Sequence, residues 1–205
     1  MEEKSKSKTI YQILGLGITI VFIIGGYFVY QYWYEGTPEY SLSQLQTALK
    51  KDSSTIALNY VDENLIFNNF WPRFSANLQS KGSQYGVLGM VLTSSLITNE
   101  KDAVHNALDN DLYTIIKNGE TGKNQTAEYF YLADIFSQIN VLNSPSFSID
   151  KNTASLAVQS RPNFTTPSLP EVNFTIVFTR QSNRQWKITD IQGLETATLN
   201  NFNSQ

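Results

Sequence analysis

A long uncharged run near the N-terminus dominates the hydrophobic pattern of this chain. No Asp, Glu, Lys or Arg occurs between positions 9 and 34, and the interior "ILGLGITIVFIIGGYFV" is mostly aliphatic. A helix over residues 10–34 would rise about 38 Å, enough to cross a hydrocarbon core of about 30 Å. The pattern therefore predicts a transmembrane helix over residues 10–34. Its expected anchoring side chains are Ile13, Leu14, Leu16, Ile18, Ile20, Val21, Phe22, Ile23, Ile24, Phe28 and Val29.

Aromatic residues end this run, and rings with polar tips prefer the depth at which hydrocarbon meets water. We expect such an interface belt at Tyr27, Tyr30, Tyr32, Trp33 and Tyr34.

The charges on either side of the run predict its orientation. Lysines occupy positions 4, 6 and 8, whereas Glu35 and Glu39 are the first charges that follow. Since basic residues stay on the cytoplasmic side, we expect a single-pass protein of the cytoplasmic membrane with its N-terminus inside. A cleaved signal peptide is the alternative, but no A-x-A-like site follows the apolar stretch, so an uncleaved signal anchor is favoured.

Beyond the anchor the apolar positions first follow a helical period and then alternate. Short amphipathic helices are predicted as far as about residue 140, with Ser41 and Gln44 forming a capping box and Asp62 capping another helix. From about residue 144 the period is two, in "SFSID", "ASLAVQ", "EVNFTIVFTR" and "QWKITDI". The prediction is an α+β fold with several short helices on one face of a C-terminal antiparallel sheet of about four strands.

This pattern also predicts the boundaries of the chain's parts. They are a cytoplasmic tail at 1–9, the anchor at 10–34, a linker at 35–40, an extracytoplasmic α+β domain at 41–195 and a polar tail at 196–205. Residues 82–99 form a second uncharged stretch, but Gly, Ser and Thr make it less apolar than the first. A buried core helix is favoured there, and a re-entrant or spanning segment stays open as the alternative.

Two stretches resemble known families. Residues 37–62 resemble the start of a bacterial family known only as a domain of unknown function, in the Pro-x-Tyr-Ser-Leu at 38–42 and the Tyr-Val-Asp at 60–62. The closing "RQWKITDIQ" resembles the last strand of the nuclear-transport-factor-2-like cone fold. That resemblance implies helices packed into a curved sheet around a pocket. Neither resemblance implies a catalytic residue.

The side chains available for chemistry are few. The chain has no cysteine, which excludes thiol nucleophiles, disulfides and cysteine-bound metals. His105 is the single histidine, and Asp102 or Asp109 on the same helix would orient it, but a solvated surface histidine is favoured. Paired acids such as Asp109 with Asp111 are assigned to cap or solvent-facing positions. We predict no catalytic residue, no metal and no cofactor.

Partners and function follow from these exclusions. Acids outnumber bases, so a nucleic-acid surface is not expected, and the predicted partners are a lipid bilayer and either another envelope protein or a small ligand. Phe174, Phe178 and Trp186 are pocket candidates, although core filling is favoured. The favoured function is a non-catalytic binding module of the cell envelope. A cone-fold enzyme acting on a small apolar substrate is the alternative, and self-association through the anchor or a sheet edge is a third possibility.

Overall fold

Helices come first and strands second along this chain. The computed structural model describes residues 2–51, 53–118, 131–159 and 172–202, with side chains described for 17–51, 53–118, 131–159 and 172–200. The helices of these ranges are α1 (Glu2–Glu35), α2 (Pro38–Lys50), α3 (Ser54–Ala57), α4 (Glu63–Ser83), α5 (Gly86–Asn99), α6 (Lys101–Asn118), α7 (Leu132–Val141) and α8 (Leu194–Phe202), with a 3-10 turn at Leu58–Tyr60. The strands are β1 (Ser148–Asp150), β2 (Thr153–Gln159), β3 (Asn173–Arg180) and β4 (Trp186–Gln192).

The four strands form one antiparallel sheet in the order β1-β2-β3-β4. Alternate residues of β2 and β3 are buried, so one face of the sheet is apolar, as the period of two predicts. Ile176 in the middle of β3 lies opposite Leu156 on one side and Ile191 on the other. The α+β arrangement with a four-stranded antiparallel sheet is therefore what the structure contains.

Helices cover the apolar face of the sheet and share one core with it. Buried positions at helical spacing on α2, α4, α6 and α7 supply Leu45, Phe70, Leu112 and Ile135, none of which is exposed to solvent. The chain enters α4 beside the sheet, where the Asp62 amide donates to the Ile188 carbonyl at 2.9 Å. These contacts fix the helices against the sheet.

The starts of the helices follow from capping groups. The Asp62 side chain accepts a hydrogen bond from the Leu65 amide at 3.0 Å, which confirms the predicted cap of α4. The predicted capping box at Ser41 is wrong, because α2 begins at Pro38 and is capped by Thr37, whose hydroxyl accepts from the Tyr40 amide. Proline at the first helical position needs no amide partner, which favours this earlier start.

The N-terminal helix corrects the membrane prediction. Within the described residues, no helix has the length and apolar character needed to cross a membrane. Within α1 the glycines at 17, 25 and 26 and the Tyr-rich end from 27 interrupt the aliphatic residues. The predicted transmembrane helix, single-pass topology and signal anchor are therefore wrong for this part of the chain.

The residues assigned to that anchor lie along α1. The side chains of Ile18, Phe22, Phe28 and other anchor residues from 18 onward are exposed, as are those of the predicted belt at Tyr27, Tyr30, Tyr32, Trp33 and Tyr34. Ile13, Leu14 and Leu16 lie outside the residues whose side chains are described.

Two further segments differ from prediction. Residues 82–99 were expected to form a buried core helix, but α5 has no buried residue. The predicted polar tail beginning at 196 is occupied by α8, which buries Leu194, Ala197 and Leu199 against the core. These three apolar side chains are enough for α8 to pack against the core, although most of its other residues are polar.

Candidate functional site

The sequence-predicted pocket residues form part of the core. Phe174, Phe178 and Trp186 are all buried on the apolar face of the sheet. The Phe178 ring meets the Phe147 ring edge to face at 5.4 Å, and the Trp186 indole N–H donates to the Gly36 carbonyl at 2.8 Å. The three side chains therefore fill the core on the inner face of the sheet.

A charged network joins α4, β4 and α8 at the edge of that core. The Arg73 guanidinium donates to both carboxylate oxygens of Asp190, at 2.6 and 3.0 Å, and its Nε lies 3.3 Å from Glu195. Burial alone lowers the pKa of Arg73, but the hydrogen bond and charge of Asp190, with Glu195 adding, leave that pKa raised. The geometry is that of a structural clasp, in which both Asp190 oxygens are occupied.

His105 is more enclosed than expected of a solvated surface histidine. Its ring stacks on the Phe67 ring at 4.1 Å, and its Nε2 lies 3.4 Å from an Asp109 oxygen without forming a hydrogen bond. Burial raises the pKa of nearby Glu63, and the charges of Asp109 and Asp62 raise it further while His105 lowers it. Among the described residues, no three His, Cys, Asp or Glu side chains form a group able to hold a metal ion.

Asp111 corrects its assignment to a cap or solvent-facing position. It lies on α6 between buried leucines and is itself buried, with 6% of its surface exposed. Burial raises the pKa of the Asp111 carboxyl to about 6. A pair of aspartates two positions apart points to different sides of a helix, which is why Asp109 faces His105 and Asp111 faces the core.

Asp111→Asn is expected to raise the free energy of unfolding at pH 7 by about 1–2 kcal/mol. Between about pH 4 and 6 the folded state keeps the Asp111 proton that the unfolded state has lost, so stability falls as the pH rises through this range. The asparagine has no charge to bury and removes this fall. Urea unfolding at pH 4.5 and 7 measures both effects.

Asp102→Asn is the matched control, because Asp102 is exposed in the first turn of the same helix. Its loss is expected to lower stability slightly at pH 7, since an acid there complements the helix N-terminus. A clearly stabilised Asp111→Asn protein beside a slightly destabilised Asp102→Asn protein supports the assignment. A destabilised Asp111→Asn protein at pH 7 contradicts it.

Among the described residues, a concave feature lies between α4 and α5, away from the sheet. The two helices fold back on one another across a two-residue turn, and they touch where a glycine of each helix meets the other. A methyl group at Gly89 would overlap the Gly82 carbonyl oxygen, and one at Gly82 would overlap the Thr93 side chain. Small residues therefore permit the close crossing, and larger side chains hold the helices apart beside it.

Those larger side chains form a groove with a cavity volume of about 670 Å³. We call it the α4–α5 groove. The wall from α4 consists of Trp71, Phe74 and Leu78, and the wall from α5 of Leu88, Leu92 and Leu96. Tyr85 of the turn between them, Val104 of α6 and Leu199 of α8 complete the lining. Trp71 and Lys81, near its two ends, are ten residues apart on α4, or about 15 Å. The groove is long, and its walls are apolar.

The two charged lining residues stand at opposite ends of the α4–α5 groove. Lys81 belongs to the last turn of α4, next to the turn that leads into α5, and Glu100 lies between α5 and α6. The Lys81 ammonium lies 3.5 Å from the Asn200 side-chain oxygen. Lys81 therefore places a positive charge at one end of the groove, and Glu100 places a negative charge at the other.

Sequence reasoning missed this groove, although part of the signal was visible. The uncharged stretch at 82–99 is visible in the sequence, but apolar side chains at helical spacing predict a core helix there. Gly82 and Gly89 are seven positions apart, and a glycine near the end of one helix and another early in the next allow close helix packing. When only one side of a hydrophobic helix packs against its neighbour, the apolar side chains on its other sides stay exposed.

Comparisons with protein-family models, with curated proteins and with solved structures found no match for this chain. The resemblances at residues 37–62 and in the final hairpin therefore stay predictions.

Proposed function

We propose that this chain is a non-catalytic binding module whose α4–α5 groove takes an elongated apolar small molecule. The observation that carries the proposal is the groove itself, a preformed cleft of about 670 Å³ with apolar walls. Small-molecule sites are typically clefts of about 300–1,000 Å³ with mainly hydrophobic linings and few polar groups. Of the two partners expected from the sequence, another envelope protein or a small ligand, such a cleft favours the small ligand.

Exposure of α5 supports the same proposal. Leu88, Leu92 and Leu96 follow one another at every fourth position and remain 72%, 57% and 49% exposed. Leaving apolar surface in water costs about 25 cal/mol per Å², so a ligand that covers these side chains gains binding free energy. A single apolar chain lying along α4 and α5 covers all three.

Leu88→Glu is expected to weaken binding of the uncharged fluorescent probe N-phenyl-1-naphthylamine at least tenfold. The new carboxylate stands in the apolar wall, and covering it with a ligand removes its water without supplying a partner. Because Leu88 is mostly exposed, the substitution leaves the core intact. Titration of probe fluorescence measures the dissociation constant.

Val87→Glu is the matched control, since Val87 is the neighbouring residue, is 74% exposed and does not line the groove. Its probe affinity is expected to match that of the unmodified protein. Equal loss in both variants would show that the probe binds the outer surface of α5, and absence of probe binding in the unmodified protein would reject the proposed function.

A further inference from the structure

We infer that the ligand of the α4–α5 groove is a single-chain amphiphile with an anionic head, such as a carboxylate, and that Lys81 binds the head. The inference rests on the proposed function and deepens it by assigning the chemical class of the ligand.

The distribution of charge along the hairpin is the first argument. Lys81 is the one charged residue between Arg73 and Glu100, so no acid on α4 or α5 competes for it at that end. Among the described residues, the salt bridges do not include Lys81. Its contact with the Asn200 amide oxygen is long, at 3.5 Å, and leaves the charge of the ammonium uncompensated.

The opposite end is less suited to a charged head. Glu100 is followed directly by Lys101 and then by Asp102, so charges of both signs alternate there. A cationic head at Glu100 would meet Lys101, whereas an anionic head at Lys81 meets uncharged neighbours. Helix dipoles do not change this comparison, because at each end the terminus of one helix adjoins the opposite terminus of the next.

The Lys81 side chain also has the right shape for this role. A lysine lays its methylene stem along apolar surface while its ammonium reaches water, so one residue provides both wall and head contact. The apolar walls formed by Phe74, Leu78 and Leu92 then receive the chain of the ligand. The anionic head of the ligand thus meets Lys81, and its apolar chain meets the apolar walls along the rest of the groove.

The test compares three probes with the same twelve-carbon chain, used as monomers: dodecanoate, dodecanol and dodecylammonium. At low salt the unmodified protein is expected to bind dodecanoate about fivefold more tightly than dodecanol, and the advantage is expected to shrink in 1 M salt. Lys81→Gln is expected to remove the advantage without changing dodecanol affinity, and Lys81→Glu to reverse the preference towards dodecylammonium. Lys101→Gln, which changes a lysine outside the groove, should leave the preference intact.

Each of the other outcomes rejects either the anionic head of the ligand or the groove as a binding site. Equal affinity for the three probes rejects the anionic head and leaves the apolar groove, whereas failure to bind any of them rejects the proposed function as well. Tighter binding of dodecylammonium assigns the head to the Glu100 end. Binding of dodecanoate only when it is incorporated in phosphatidylcholine vesicles, with no affinity for the monomer, rejects a single-molecule site.

Discussion

Arg73→Met is expected to lower the free energy of unfolding by about 3 kcal/mol at pH 7. Arg73 is the cation between Asp190 and Glu195, whose side chains are only 10% and 11% exposed. Methionine keeps much of the apolar stem but removes the guanidinium, so two neighbouring carboxylates remain buried without a partner. The expected loss lies at the lower end for a broken buried ion pair because the Arg73 side chain is 34% exposed.

Urea unfolding at pH 7 measures this loss. The double variant Arg73→Met with Asp190→Asn should be more stable at pH 7 than Arg73→Met by itself. Lys101→Met serves as the control for loss of an exposed cation, with an expected change within about 0.5 kcal/mol. A similar change in Arg73→Met would contradict the structural role of the network.

Gly89→Ala is expected to weaken probe binding in the α4–α5 groove at least tenfold and to lower the free energy of unfolding by about 1–3 kcal/mol. The added methyl group overlaps the Gly82 carbonyl oxygen, and a backbone atom cannot rotate away as a side chain does. The two helices must then separate, which moves one wall of the groove. Alanine favours the helix by about 1 kcal/mol over glycine, so the effect does not come from a weakened α5.

Gly25→Ala is the matched control, because nothing lies within 4 Å of a methyl group added at Gly25. It should leave probe affinity unchanged. Probe titration and urea unfolding of both variants separate the close crossing of α4 and α5 from a general effect of replacing glycine in a helix. Unchanged probe affinity in Gly89→Ala would mean that the crossing does not set the groove.

The periodicity of apolar residues was sufficient to predict the two-block architecture. Alternation at Leu156, Phe174, Ile176 and Phe178 identified the strands because each strand buries one face. Side-chain capping chemistry at Asp62 identified the start of α4 correctly. The start of α2 was misplaced because Ser41 and Gln44 match a local capping pattern, whereas in the fold the Ser41 hydroxyl accepts a hydrogen bond from the Trp186 amide at 3.2 Å.

The candidate site was much harder to predict than the architecture. Phe174, Phe178 and Trp186 were chosen as pocket residues because aromatic side chains occur both in pockets and in cores, and the sequence pattern is the same for both. Leu88 and Leu92 were assigned to the core because apolar side chains at helical spacing are usually buried. Only the position of α5, packed mainly against α4 on one side, leaves them lining an open groove.

By itself the sequence determined the properties that depend on neighbouring residues along the chain: helical and strand periods, turns, the absence of cysteine and the low charge of residues 82–99. The tertiary structure alone decided which apolar side chains are covered, that Asp111 is buried, that Arg73 meets two carboxylates more than a hundred positions away, and that α4 and α5 form a groove. Burial and charge pairing depend on which surfaces meet in space, and glycine contacts such as Gly82 with Gly89 set how closely they meet.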